Sequence, residues 1–246
     1  MKYSVGIVTY VKRFEKFFKP LILEIKKQRP EIEIIVCVNG EHKEKFNENY
    51  RQDILNFLSE LDNSFVCMHP QFRSLSKLWN TCLINATNDN MLLLNDDVRL
   101  DTGFFDELET HINNSSCDYF KINDSWSHTF LNRKLVGELH WFDERLLGVG
   151  GEDNDFEWRF FNKFKYAFPS KKIKNIFNFE SKESVLTNQR KTHANYSQFN
   201  TEFINLKYRP KKNGQMHGLW FSAEQVMDTP NMNPCESFFW ANKENK

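Results

Sequence analysis

The chain has little of what marks several common protein classes. Lys plus Arg and Asp plus Glu are equal at 33 each, so it lacks the basic excess with which a protein follows a nucleic-acid backbone. That argues against a general nucleic-acid binder and leaves a local basic patch open. The cysteines (Cys37, Cys67, Cys82, Cys117, Cys235) are odd in number, widely spread and without a C-x-x-C pair. That excludes a disulfide framework and a cysteine zinc site, and points to a reducing compartment. Cys37 and Cys67 fall in apolar strand-like runs, where a free thiol behaves as a small hydrophobe. No apolar run approaches the length needed to cross a bilayer. The sequence begins directly on strand-like residues with no leader pattern, so a soluble cytoplasmic protein is expected. Thr9-Tyr10-Val11-Lys12-Arg13 contains no glycine, unlike the Gly-rich phosphate loop of many nucleotidyl- and phosphoryl-transfer enzymes. Internal repeats and low-complexity tracts are also missing.

What is present reads as an α/β protein. The 246 residues suit one large domain, or a domain with a modest appendage. Tyr3 to Thr9, Ile32 to Val38, Ser64 to Met68 and Met91 to Leu94 read as strands. They alternate with helical patterns over Arg13 to Lys27, Tyr50 to Leu61 and Leu75 to Ala86. Such alternation predicts a mostly parallel sheet flanked by helices. After Asp101 the pattern loosens. Asp118 to Ile122 reads as a strand, Lys134 to Leu147 as a loop-rich wall, Asp153 to Lys165 as a helix, Lys172 to Phe179 as a strand and Asn195 to Tyr208 as a helix. The expected division is 1–208 as a single domain, with 1–100 and 101–208 as its halves, and 209–246 as an extension. That extension carries Leu219, Trp220, Phe221, Phe238, Phe239 and Trp240, which a soluble monomer seldom leaves bare. It is expected to cover the domain or a neighbouring subunit, which leaves a homo-oligomer open.

Two acidic clusters carry the chemistry. Met91-Leu92-Leu93-Leu94 is apolar without alternation, as in a strand covered on both faces, and Asn95-Asp96-Asp97 closes it. In open α/β sheets ligands bind outside the carboxyl ends of strands. Adjacent aspartates there repel one another unless a cation or donors compensate, and hard oxygen ligands suit Mg or Mn. The second cluster is Gly148-Val149-Gly150-Gly151-Glu152-Asp153-Asn154-Asp155, running into Phe156, Phe160, Phe161 and Phe164 at helical spacing. A glycine turn that delivers carboxylates to the mouth of a helix is a suitable place for a base. The plainer reading of each cluster is a turn after a strand and an acidic first turn facing the helix dipole. At a helix N-terminus Asp153 is expected to have a depressed pKa. Lys163, Lys165, Lys171, Lys172 and Lys174 read as a solvated helix end and edge strand, with peripheral contact to an anionic membrane or lipid-linked acceptor as the alternative.

In this order the features resemble the GT-A fold nucleotide-sugar glycosyltransferases, closest to the inverting family 2 group. Asn95-Asp96-Asp97 corresponds to the D-x-D motif and Glu152-Asp153 to the E-D motif. The Gly-Gly-Glu-Asp run is similar to a segment of β-1,4-galactosyltransferases, and Trp141 to Gly148 resembles the run that precedes the E-D motif. The likeness extends over roughly residues 3 to 208. It implies a nucleotide-diphosphate sugar donor, UDP first among them, with Mn or Mg, and a saccharide or lipid-linked saccharide acceptor, in surface polysaccharide synthesis. Asp97 is implied as metal ligand, with His193 as a further candidate. Thr9, Tyr10, Asn39, Arg73, Asn80 and Asp96 are implied at the nucleotide sugar, and Lys77 within reach of phosphate. Asp153, seconded by Glu152, is implied as the base, and Trp126, His140, Trp141 and Asp155 on the acceptor side. The sequence departs from the family where the usual aspartate pair after the second strand is Val38-Asn39. A nucleotidyl- or phosphoryl-transfer enzyme on a similar sheet, and a non-catalytic carbohydrate-binding protein, remain as alternatives.

Overall fold

The computed structural model describes residues 1–10, 13–40, 47–114, 118–179, 189–210 and 223–225, with backbone alone for 189–197, 209–210 and 223–225. The first half is built from β1 (Ser4–Thr9), α1 (Lys19–Gln28), β2 (Ile34–Val38), α2 (Glu48–Ser59), β3 (Ser64–Met68), α3 (Leu75–Asn85) and β4 (Asn90–Asn95). Next come β5 (Val98–Leu100), α4 (Phe104–Asn114), β6 (Phe120–Ile122), β7 (Ser125–Asn132) and α5 (Arg133–Glu138). The remainder comprises α6 (Glu152–Phe164), β8 (Ser170–Lys171), β9 (Ile176–Asn178), α7 (Gln189–Lys207), β10 (Tyr208–Pro210) and β11 (Ala223–Gln225).

A seven-stranded sheet in the order β3-β2-β1-β4-β7-β6-β8 forms the centre. Pairing is parallel from β3 to β4 and between β6 and β8, and antiparallel where β7 meets β4 and β6. All residues of β1 and β2 are buried, because helices cover both faces and leave no solvent side for a polar alternation. One apolar layer lies on α1, α2 and α4, through Leu21, Ile22, Ile54, Phe104 and Leu108. The other lies on α3, α5 and α6, through Leu78, Trp79, Val136, Phe156 and Phe160.

The register sets the chemistry. Thr9 stands opposite Val38 and Val8 opposite Asn95, so the carboxyl ends of β1, β2 and β4 finish side by side. Asn39 N donates to Thr9 O at 2.8 Å, continuing the ladder past the strand end. Gly40 follows, where an added Cβ would lie 2.3 Å from the Gln71 backbone carbon. Only glycine permits that crossing of two chain segments.

The structure differs from the sequence reading in several places: α5 occupies part of the expected loop-rich wall, the expected strand over Lys172 to Phe179 is reduced to β9, and α7 begins at Gln189 rather than Asn195. The expected helix from Arg13 begins as a π-helical turn, Phe14–Phe18, in which Arg13 O accepts from both Phe17 N at 3.1 Å and Phe18 N at 3.0 Å. Such wide turns recur at functional sites. Helix α4 was not anticipated, although Phe104, Leu108 and Ile112 have helical spacing and form its buried face. Strand β7 was also not anticipated. Its inner half, His128 to Leu131, is buried against β4 on one side and β6 on the other, whereas Ser125, Trp126 and Ser127 remain half-buried. Among the described residues no helix is long and apolar enough to cross a membrane. The aromatic residues expected to seal the extension lie outside the described residues, which there comprise only the β10–β11 pair.

Candidate active site

Asp96 is 2% exposed just after β4 and is held by both Thr9 and Arg13. Thr9 Oγ1 donates to Asp96 Oδ2 at 2.7 Å and stands 3.1 Å from Tyr50 Oη. Arg13 reaches across from the π-helical turn: Nε donates to both Asp96 oxygens at 2.7 and 2.9 Å. Its Nη2 lies 2.6 Å from Asp96 Oδ1 and 2.9 Å from Asp97 Oδ2. Its Nη1 donates to Tyr10 Oη at 2.9 Å. The guanidinium also lies 4.8 Å from the ring centres of Tyr10 and Phe17. One delocalised cation thus bridges two carboxylates that would otherwise repel. Burial pushes the Asp96 carboxyl up to about 6, against the lowering effect of Arg13 and Thr9.

Thr9, Tyr10, Arg13 and Asp96 line a pocket of about 180 Å³ together with Asn39, Arg73, Asn95, Asp97 and Val149. Two unpaired polar atoms border it. Asn95 Oδ1 and Arg73 Nε are buried without a hydrogen-bond partner among the described residues. Asp97 keeps its side chain 22% exposed. A buried acceptor beside a partly open carboxylate makes an all-oxygen donor pair of the kind a hard cation takes. The free Arg73 donor is matched to an anionic oxygen. Asn39 plays a narrower part than the sequence implied. Its Oδ1 accepts from Arg73 N at 2.8 Å and Gly40 N at 3.0 Å, and its Nδ2 donates to Arg73 O at 2.9 Å. The amide ties Arg73 to the end of β2 and has a single N–H left for a base edge.

Val149 brings the glycine turn to the same pocket. The turn is held by Leu75 N, which donates to Gly148 O at 2.8 Å. Gly148, Gly150 and Gly151 have φ of +54°, +118° and +95°, a region that side chains resist. Helix α6 then starts at Glu152 with Gly151 as its N-cap. Glu152 is 5% exposed and accepts from Gly150 N at 2.6 Å. Burial, reinforced by the charge of Asp153, pushes its pKa up to about 8. Asp153 is half-buried and its pKa is also raised, by burial and then by Glu157. The depressed value expected from the helix dipole is therefore not found, because desolvation outweighs the aligned N–H groups. Burial thus raises both adjacent carboxyls at the start of α6.

Several implied residues have other partners. Asn80 is fully buried, donates to Phe142 O and Glu144 Oε1, and accepts from Phe142 N. It clamps the 142–144 segment to α3 rather than facing the pocket. Lys77 is likewise buried, 3.4 Å from Glu144 Oε2. Asp155 sits at 1% exposure in an ion cluster with Arg159, Lys207 and Tyr208. Burial alone would raise its pKa, but the Arg159 and Lys207 charges hold it below the usual carboxylate range. It is a structural anchor in this arrangement, not part of an open acceptor wall. Trp126 donates from Nε1 to Glu157 at 2.6 Å and packs on Trp79, Phe142, Phe156 and Phe168, so its faces are taken by protein. His140 is exposed and Trp141 half-buried, both at left-handed φ, +60° and +66°, where α5 ends. His193 lies in α7, and its side chain is outside the described residues. Sequence reasoning missed Arg13 and Tyr50. Nothing separates Arg13 in sequence from the neighbouring lysines, and only the π-helical turn aims it at β4.

The sheet order and the site at the strand ends define a GT-A-type α/β fold. Solved structures share it. TarS of S. aureus, residues 1–349 in complex with UDP-GlcNAc, matches with a TM-score of 0.52 and 15% identity over 83% of this chain and 67% of that one. The mannosyltransferase PcManGT from Pyrobaculum calidifontis, in complex with GDP-Man and Mn2+, matches with a TM-score of 0.53 and 10% identity over 70% of this chain and 54% of that one. Against a longer TarS structure the likeness covers 65% of this chain and 34% of that chain, at 17% identity and a TM-score of 0.51. The chain thus spans about a third of that protein's length. No family model matches the sequence, and no curated protein does.

Proposed function

We propose that the protein is a metal-dependent, inverting glycosyltransferase that moves a sugar from a nucleotide diphosphate to a hydroxyl of a saccharide or lipid-linked saccharide, in surface polysaccharide synthesis. The observation that carries this reading is that Asp96 and Asp97, just after β4, line one pocket with Val149, which belongs to the turn leading into Glu152-Asp153. TarS bound to UDP-GlcNAc and PcManGT bound to GDP-Man and Mn2+ support the donor class, and UDP is the nucleotide we favour. Asp97 and Asn95 would hold Mn or Mg, completed by diphosphate oxygens and water, as is usual for such cations. Bound there, the cation supplies Lewis-acid stabilisation of charge on the leaving diphosphate.

The remaining roles belong to the chain itself. Thr9, Tyr10 and Asn39 form the wall of the nucleotide subsite, and Arg73 donates to a phosphate oxygen from its unpaired Nε. Arg13 keeps Asp96 and Asp97 fixed and partly neutralised, so neither carboxylate swings away from the pocket. Asp153 removes the proton from the acceptor hydroxyl while that oxygen bonds to the anomeric carbon and the carbon–phosphate oxygen bond breaks. Attack from the face opposite the leaving group inverts the centre. Glu152, its carboxyl pushed up to about 8 by burial and by the charge of Asp153, stands beside that base at the start of α6. His140 and Trp141 flank the acceptor entrance in this reading.

The test is release of nucleoside diphosphate from UDP-, GDP-, CDP- and dTDP-sugars in the presence of Mn2+ and saccharide acceptors. Asp153→Asn keeps shape but cannot take the proton, and should lower turnover by about a hundredfold or more while donor affinity stays near wild type. Near-normal turnover in that variant would remove Asp153 from the role. Loss of nucleotide binding would make the turn a donor-binding element instead.

A further inference from the structure

We propose that Asn200, on α7, is the positioning residue that fixes the glycine turn and so aims the Glu152-Asp153 pair. The inference rests on the transferase reading above for its kinetic part and on geometry alone for the rest. Asn200 is 2% exposed and spends its whole amide on the turn. Its Oδ1 accepts from Leu147 N at 2.7 Å, and its Nδ2 donates to Leu147 O at 2.8 Å and to Gly150 O at 2.6 Å. On the opposite side the turn is held by Leu75 N through Gly148 O. A segment with three glycines at positive φ has little conformational preference of its own. Its shape is imposed by these two anchors, one from α3 and one from α7, together with the Glu152 carboxyl that accepts from Gly150 N.

The rest of α7 reinforces the contact. Ile204 Cδ1 would stand 2.8 Å from a Cβ added at Gly151, so the helix lies directly on the N-cap of α6. Ile204 packs with Leu146, Trp158 and Tyr208. Lys207, fully buried, bridges Asp143 at 2.9 Å and Asp155 at 2.5 Å, and Tyr208 Oη donates to Asp155 at 2.7 Å. Lys207 and Tyr208 therefore secure the helix to α6 and the 143–146 segment. Asn200 is the group that acts on the turn itself. Displacement of a catalytic group by about 1 Å costs on the order of a hundredfold in rate, so loosening this anchor should act on turnover more than on the nucleotide pocket, which the turn meets only at Val149.

The experiment compares the full chain with Asn200→Ala by amide hydrogen exchange over residues 147–155 and by steady-state donor turnover. We expect exchange of the 147–151 segment to speed up about tenfold or more, with the β1, β2 and β4 segments unchanged. We expect kcat to fall about tenfold to a hundredfold with the donor KM within about twofold of wild type. Ile204→Ala, which loosens the same contact without removing a polar group, should shift both readouts in the same direction by less, and serves alone if Asn200→Ala does not fold. Unchanged exchange across the turn overturns the proposal, as does an active variant with unchanged kcat or one whose loss lies in donor KM. If wild type turns over no nucleotide sugar, the transferase reading fails, and the exchange result alone decides what Asn200 does.

Discussion

Replacing Glu152 by Gln removes one ionisation and little else. The side chain is 5% exposed, and the bond it accepts from Gly150 N is available to the Gln carbonyl oxygen. In the unfolded chain this carboxyl ionises near 4.5, and in the folded protein near 8, pushed up by burial and by Asp153. Between those values the folded state keeps a proton that the unfolded state has released, so this group lowers stability as pH rises. At about 1.36 kcal/mol per unit, the span from 4.5 to neutrality amounts to roughly 3 kcal/mol. Gln has no such proton. Relative to wild type, Glu152→Gln should therefore gain roughly 3 kcal/mol in stability between acidic and neutral pH, levelling off above about 8. Guanidinium unfolding of both proteins at pH values from about 5 to about 8 reads the difference from the transition midpoints. Parallel pH curves for the two proteins would refute the claim that Glu152 is buried and protonated.

Two other substitutions test the charge arrangement. Arg13→Met leaves the buried Asp96 without its cation and should destabilise the protein by about 3–5 kcal/mol, the range for breaking a buried pair, and weaken nucleoside diphosphate binding in calorimetry. A stable variant with unaltered affinity would show that Arg13 is not what fixes the two aspartates. Lys207→Met removes the cation shared by Asp143 and Asp155 and should cost a similar ~3–5 kcal/mol in urea unfolding. The wild-type contribution of Asp155 is present above the unfolded carboxylate range and lost as pH falls, because its folded pKa is depressed. The Lys207→Met difference should therefore shrink on acidification, and a pH-independent difference would contradict the pairing.

The parallel half of the sheet was legible because its strands are apolar on both faces and its helices have one-sided patterns. Ser64–Met68 is found at the predicted bounds, and Leu75–Asn85 within one residue of them. Strand β7 was not legible. Half of it lies in the core and half beside the aromatic cluster at Trp126, so its sequence follows neither a buried nor an alternating pattern. The two acidic clusters could be read because turn chemistry and strand ends leave a local trace. What sequence could not give was the partner of each charge. Asp155 and Asp153 are two residues apart on one helix, yet one meets Lys207, 52 positions away, and the other faces no cation as closely among the described residues. Arg13 and Asp96 are separated by 83 positions. Such pairings depend on topology, and residue type alone assigned Asp155 and Asn80 to binding roles that their buried contacts already occupy.

The central claim is that a nucleoside diphosphate and a divalent cation bind together at the pocket of Thr9, Arg73 and Asp97. It is tested most directly by calorimetric titration of the full chain with UDP and GDP, with Mn2+ and again with chelator, in wild type and Asp97→Asn. The account predicts that at least one nucleotide binds wild type, that chelation weakens it by about tenfold or more, and that Asp97→Asn loses this dependence on the cation. Absence of binding by either nucleotide, or an affinity indifferent both to chelator and to Asp97→Asn, would contradict it.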